Sequence, residues 1–255
     1  MNQKPAVIPG AEAIFIRGGE KGILLCHGFN GTPQSVEDLC RKFAHVGYTV
    51  YAPRLNGHGT SPFDMEECTY TDWIQNLEEG CRRLKKVCSK VYAAGQSMGG
   101  ALTLQLASKN HVDGIILINT ALCVPCYEPY QNEVSPRFLY EGKPDIKREN
   151  VEEIAYKEVP LKGIHQLQQL MKKTKSILKS VTCPVLLFHS VEDHVVPPVC
   201  SEEIFHSVSS SMKKYICLHH SYHVATMDLD QDLIFQETIH FIDDELSNGI
   251  SLQQL

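Results

Sequence analysis

The stretch Gly95-Gln96-Ser97-Met98-Gly99 constrains this chain more than any other. It follows the apolar run Val91-Tyr92-Ala93-Ala94, which reads as a buried strand, and opens into 100–107, which reads as a helix of small and apolar residues. A serine between two glycines at such a junction sits on a turn too tight for bulky neighbours. The hydroxyl is thereby held out above the strand ends, as in a nucleophile elbow. The competing reading is a glycine-rich turn with a capping serine; the strand before it and the helix after it favour the nucleophile.

The rest of the chain supplies the sheet such an elbow needs. Apolar runs at Ala13–Ile16, Ile23–Cys26, Tyr48–Ala52, Gly114–Ile118, Pro184–His189 and Lys214–Leu218 read as strands. Helical patterns lie between them. One starts with Thr32 as N-cap and Pro33 as first residue, and places Val36, Leu39, Phe43 and Val46 on one stripe. A second, capped by Thr71, carries Trp73, Leu77, Cys81, Leu84 and Cys88; others cover 201–208 and the stripe Phe235, Ile239, Ile242, Leu246. Alternating strands and helices imply parallel strands joined by helical crossovers, an α/β fold with a mostly parallel central sheet. From Cys123 to Lys179 the alternation breaks into mixed proline, tyrosine and charge, with weak helicity over 161–178. The expected organisation is a core of residues 1–122 and 180–255 with a small cap, 123–179, inserted into it.

Composition narrows the function classes. A net charge of −6 with no basic run argues against nucleic acid as a partner. No apolar stretch approaches the ~18 residues that span a bilayer, and Met1–Pro5 lacks the apolar segment of a signal peptide. A cytoplasmic protein without stable membrane insertion is expected. The ten cysteines are scattered, several (Cys26, Cys183, Cys217) in strand-like runs where cysteine acts as a small hydrophobe. Cys123-Val-Pro-Cys126 has no second pair at zinc spacing and opens no thioredoxin-like helix, so no metal or redox role is assigned to it.

A serine hydroxyl needs a base, and the base needs an orienting acid. Two loops should leave the same sheet edge as the elbow. The first, after the strand ending at His189, offers Glu192 or Asp193, of which Asp193 lies closer to the stiff Val-Val-Pro-Pro segment. The second, after Leu218, offers His219, His220 and His223; His223 lies furthest out, where its ring can swing back over Ser97. Ser97, Asp193 and His223 then follow the chain order expected for this architecture. Acyl transfer also needs fixed donors for an oxyanion, expected at the amides of Met98 and Phe29. The other histidines (His27, His45, His58, His111, His165, His206, His240) are read as structural.

With those residues placed, the chain resembles the α/β-hydrolase superfamily, and is similar to bacterial monoacylglycerol lipases and related small carboxylesterases. The resemblance is carried by His27-Gly28-Phe29, Gly57-His58-Gly59-Thr60, the segment 95–102, Glu192-Asp193-His194-Val195-Val196-Pro197-Pro198 and 221–226. It implies an α/β-hydrolase fold with a cap between two late strands, the triad Ser97, Asp193 and His223, the donors Phe29 and Met98, and no cofactor. The implied substrate is a small amphiphilic ester, a monoacylglycerol or a short-to-medium-chain ester, with transient contact between the cap and a membrane surface left open. Thioesterase, amidase or acyltransferase chemistry fits the same triad, and a non-catalytic binding protein is the third class. Within the cap, Tyr127, Tyr130, Phe138, Leu139, Tyr140, Ile146, Val151, Ile154 and Tyr156 are candidates to line an acyl channel. Glu152 or Glu153 could receive a glycerol head group; similarity over 145–156 favours Glu153.

Overall fold

The apolar runs assemble into one seven-stranded sheet, described with the rest of the chain by a computed structural model covering residues 5–252, with side chains to residue 245. Numbered in chain order, its strands lie side by side as β1 (Ile14–Ile16), β3 (Thr49–Ala52), β2 (Lys21–Cys26), β4 (Lys90–Gln96), β5 (Gly114–Ile118), β8 (Val185–Ser190) and β9 (Lys213–Leu218). Neighbours pair in parallel except β1, which runs antiparallel to β3. Parallel pairing requires crossovers. These are α1 (Glu37–His45), α2 (Pro62–Glu66) with α3 (Tyr70–Lys85), α4 (Met98–Ala107), α5 (Leu161–Ile177) and α6 (Pro198–Ser207); α7 (Gln231–Leu252) closes the described chain.

Strand side chains alternate between two covered faces. Leu24, Ala93, Leu117 and Leu187 meet α3, α4, α5 and α6, whereas Ile23, Leu25, Ile116 and Phe188 meet α1 and α7. The strand carrying the elbow, β4, is the middle strand, and α4 behind it is buried at all ten residues.

Several local expectations shift. Pro33–Val36 forms a 3-10 turn, so α1 begins at Glu37, and Thr32 makes no side-chain cap. Val46 lies just past the end of α1 and is exposed; Val36, Leu39, Cys40 and Phe43 form the buried stripe. Thr69 rather than Thr71 precedes α3: the Asp72 carboxylate accepts from the Thr69 amide at 2.8 Å and hydroxyl at 2.6 Å, and Cys88 falls beyond the helix. On α7 the buried stripe is Ile234, Thr238, Phe241 and Ile242, with Phe235 and Ile239 on its margin; the Leu246 side chain is outside the described residues. Cys217 is exposed because β9 is an edge strand.

Between β5 and β8 the segment without clear periodicity contains a 3-10 turn (Pro125–Tyr130) and a two-stranded antiparallel ribbon, β6 (Phe138–Tyr140) with β7 (Glu158–Pro160). Three-residue strands are too short to leave an alternating signal. The segment has a core of its own in Leu139, Val159, Leu161 and Ile164, while Leu167, Leu170 and Met171 of α5 join the main core. Facing two different cores weakens the single-stripe pattern of α5.

Candidate active site

The elbow geometry explains its glycines. Ser97 has φ 56° and ψ −117°, a left-handed conformation that lifts its side chain off the strand end. A Cβ at Gly95 would stand 2.1 Å from Gly99 O, and one at Gly99 would stand 2.3 Å from Cys26 O. Backbone fills both places, so neither position accepts a side chain. The Ser97 amide donates to Ile118 O at 2.9 Å, tying the turn to β5.

Three groups converge here from three strand ends. His223 Nε2 lies 2.9 Å from Ser97 Oγ, and His223 Nδ1 lies 2.8 Å from Asp193 Oδ2. A carboxylate only accepts, so Nδ1 carries the proton and leaves Nε2 free to accept from the hydroxyl. The second oxygen, Asp193 Oδ1, accepts from the amides of Val195 and Val196, both at 2.8 Å. Burial alone would raise the Asp193 carboxyl; the His223 charge and hydrogen bond, with the two amides, outweigh it and hold the group below the ordinary carboxylate value. Glu192, the alternative acid, faces outward and pairs with Lys147 at 3.1 Å. His219 and His220 are exposed.

The loop after β2 is fixed by packing. The Phe29 ring sits edge-on to His58, Trp73 and Tyr127, with centroids 6.1–6.2 Å away. Asn30, at φ 63°, exchanges two 2.9 Å bonds with the backbone of Tyr156. His27 and His58 are fully buried beneath it, and burial lowers both, so they are neutral. Among the described residues, no protein acceptor takes the amide of Phe29 or of Met98, the first residue of α4.

Ser97 and His223 open into a cleft of about 660 Å³, its mouth included. Its lining includes the apolar and aromatic side chains Phe29, Val124, Tyr127, Leu167, Val195 and Val224, and the polar ones Asn30, Glu141, Lys143, Asp145 and Glu153. Of the cap residues expected in an acyl channel only Tyr127 lines it. Its hydroxyl donates to Glu141 at 2.6 Å. Ile146 is not among the lining residues, although its neighbour Asp145 is. Phe138 packs edge-on against Phe63, Tyr140 is exposed, and the Tyr156 hydroxyl is spent on Gly57 O and the Thr60 amide. Glu152 is exposed, whereas Glu153 faces the cleft with its Oε1 against Gly31 and makes no hydrogen bond among the described residues. Burial pushes its carboxyl up to about 7, against a smaller downward pull from His223.

Residues 20–230 match the family described as Serine aminopeptidase, S33. The chain is 44% identical over 202 residues to the thermostable monoacylglycerol lipase of Bacillus sp. strain H-257, covering 78% of this chain and 80% of that protein. The chain belongs to this family of α/β-hydrolases. It is also 29% identical to the carboxylesterase of Bacillus subtilis strain 168, over 71% of this chain and 75% of that one. A solved structure of the metagenome-derived lipolytic enzymes LipS and LipT matches with a TM-score of 0.90 at 40% identity, over 94% of this chain and 100% of that one.

Three site residues of this hydrolase escaped the sequence reading: Gln96, Asn119 and Ser190. Gln96 Nε2 and Asn119 Nδ2 donate to His223 O at 2.7 and 2.8 Å, and Ser190 Oγ donates to Tyr222 O at 2.8 Å. Gln96 and Ser190 are the polar last residues of β4 and β8, and Asn119 directly follows β5; a polar residue at the end of an apolar strand is the signal that could have found them. In the lone C-x-x-C, Cys123 Sγ lies 3.3 Å from Cys200 Sγ of α6, and both are free thiols.

Proposed function

We propose that this chain is a serine hydrolase of carboxylic esters, with monoacylglycerols or short-to-medium-chain esters as substrates. The observation that carries the reading is the unbroken relay from Ser97 Oγ through the His223 ring to Asp193 Oδ2. His223 Nε2 takes the serine proton as Oγ attacks the acyl carbon, then returns it to the leaving alcohol; water activated by the same nitrogen releases the acid. Asp193 keeps the proton on Nδ1 and stabilises the imidazolium. The amides of Phe29 and Met98 receive the developing oxyanion, a role supported by their lack of protein acceptors. The cleft suits an amphiphile: the acyl chain lies along Val124, Leu167 and Val195, and the alcohol faces Glu153 and Asn30. The lipase and the carboxylesterase among its relatives support an ester over other acyl donors. A cytoplasmic setting, with 123–179 as the substrate-covering cap, completes the reading; ten free thiols are at home in a reducing compartment.

The test uses the purified protein with a fluorophosphonate probe and a monoacylglycerol chain-length series beside p-nitrophenyl esters, thioesters and anilides. Ser97→Ala should abolish labelling and cut turnover by several orders of magnitude, to about 10³–10⁴ over water. Labelling that survives the substitution, or anilides outpacing every ester, overturns the reading.

A further inference from the structure

We propose that Asp145 is a positioning residue for the triad, through which the segment over the cleft holds the base-bearing and acid-bearing loops in register. The proposal rests on the reading of Ser97, His223 and Asp193 as catalytic. Asp145 belongs to the strap Gly142-Lys143-Pro144-Asp145, every residue of which lines the cleft. Among the described residues its carboxylate pairs with no Lys or Arg side chain and instead gathers two loops. Oδ2 accepts from the His223 amide at 3.0 Å and from the His194 amide at 3.2 Å; Oδ1 lies 2.8 Å from His194 Nδ1. Its carbonyl accepts from the Val224 amide at 3.0 Å. One residue thus binds the backbone of the base itself, the residue after the base, and the residue after the acid Asp193.

The carbonyl of His223 is held from beneath by Gln96 and Asn119, which sit on the sheet. Its amide is held from above by Asp145, alone among the side chains of the described residues. The sheet therefore fixes one side of the base's peptide and the strap fixes the other, leaving the ring able to reach both Ser97 and Asp193. The strap is itself anchored two residues on. The buried Asp228 carboxylate accepts from the amides of Lys147, Arg148 and Tyr222 at 2.7–2.9 Å. Displacing the strap would pull on the base, so the wall that meets substrate and the device that aims His223 are one element.

Two variants separate positioning from charge. Asparagine keeps an acceptor for the two amides and turns its NH₂ toward His194 Nδ1, which can accept in its other tautomer. Alanine removes every contact of the carboxylate. In Asp145→Ala, kcat for a soluble p-nitrophenyl ester should fall about 10–100-fold with KM within about twofold, and fluorophosphonate labelling should slow by the same factor. Asp145→Asn should restore kcat to within about threefold of the parent. Wild-type kcat in Asp145→Ala, a loss expressed in KM, or Asn behaving like Ala would each overturn the proposal. Ser97→Ala, run alongside, keeps the two readings apart. If it stays active, the triad assignment fails; if it is dead while Asp145→Ala is unimpaired, only the positioning role fails.

Discussion

Glu153→Gln is the perturbation whose size can be worked out most directly. The native carboxyl is pushed from 4.5 up to about 7 by burial in the cleft wall. A carboxyl that holds its proton more tightly in the folded chain than in the unfolded one costs no stability while both are protonated, and lowers it once the unfolded form ionises. Stability is therefore greatest below 4.5, is lost as pH rises from 4.5 to about 7, and stays at its reduced level above that. At about 1.4 kcal/mol for each pH unit the loss reaches about 3 kcal/mol, and water entering the open mouth of the cleft trims it to about 2. Glutamine has the same shape and no charge, so it escapes this loss. Melting curves of parent and variant should nearly coincide at pH 4.5 and separate above it, the variant melting about 4–8 °C higher by pH 8. The same variant should raise KM for a monoacylglycerol, whose hydroxyls lose a carboxylate acceptor, and leave p-nitrophenyl acetate unchanged. Melting curves that run parallel from pH 4.5 to 8 would refute the burial argument.

Three further outcomes follow from the same geometry. In Asp193→Asn, the two amides of Val195 and Val196 hold the remaining oxygen, which turns NH₂ toward His223 Nδ1. The ring must then carry its proton on Nε2, facing Ser97 as a donor, and kcat should drop about 10⁴-fold with little change in melting temperature; a loss under about tenfold would contradict this. Gly99→Ala places a methyl 2.3 Å from Cys26 O and 2.6 Å from His27 O, backbone that cannot yield, and should cost about 3 kcal/mol or more in denaturant melts. Gly142→Ala, where nothing lies within 4 Å, should cost almost nothing in the same melts.

Ser97 was legible because everything that makes it an elbow lies within a dozen residues: strand, glycine, serine, glycine, helix. The parallel sheet was legible for a related reason, since strands covered on both faces must be continuously apolar. The boundaries of α1 and α3 and the stripe of α7 were off by one to four residues, because several similar side chains can satisfy a cap or a stripe and tertiary contacts choose among them. The acid and the base were narrowed to two and three candidates, among which loop position and chain order favoured Asp193 and His223.

What the amino-acid order settled alone is the local chemistry: a strained serine, a sheet to carry it, and loops bearing a carboxylate and an imidazole in the right succession. Tertiary structure decided which of them meet. Asp193 rather than Glu192 turns inward because two amides of its own loop take one oxygen and leave the other for His223. His223 rather than its neighbours faces Ser97 because its peptide is gripped by Gln96, Asn119 and Asp145. Those three are separated from it by 78 to 127 positions, and no local pattern says which residues meet across that range.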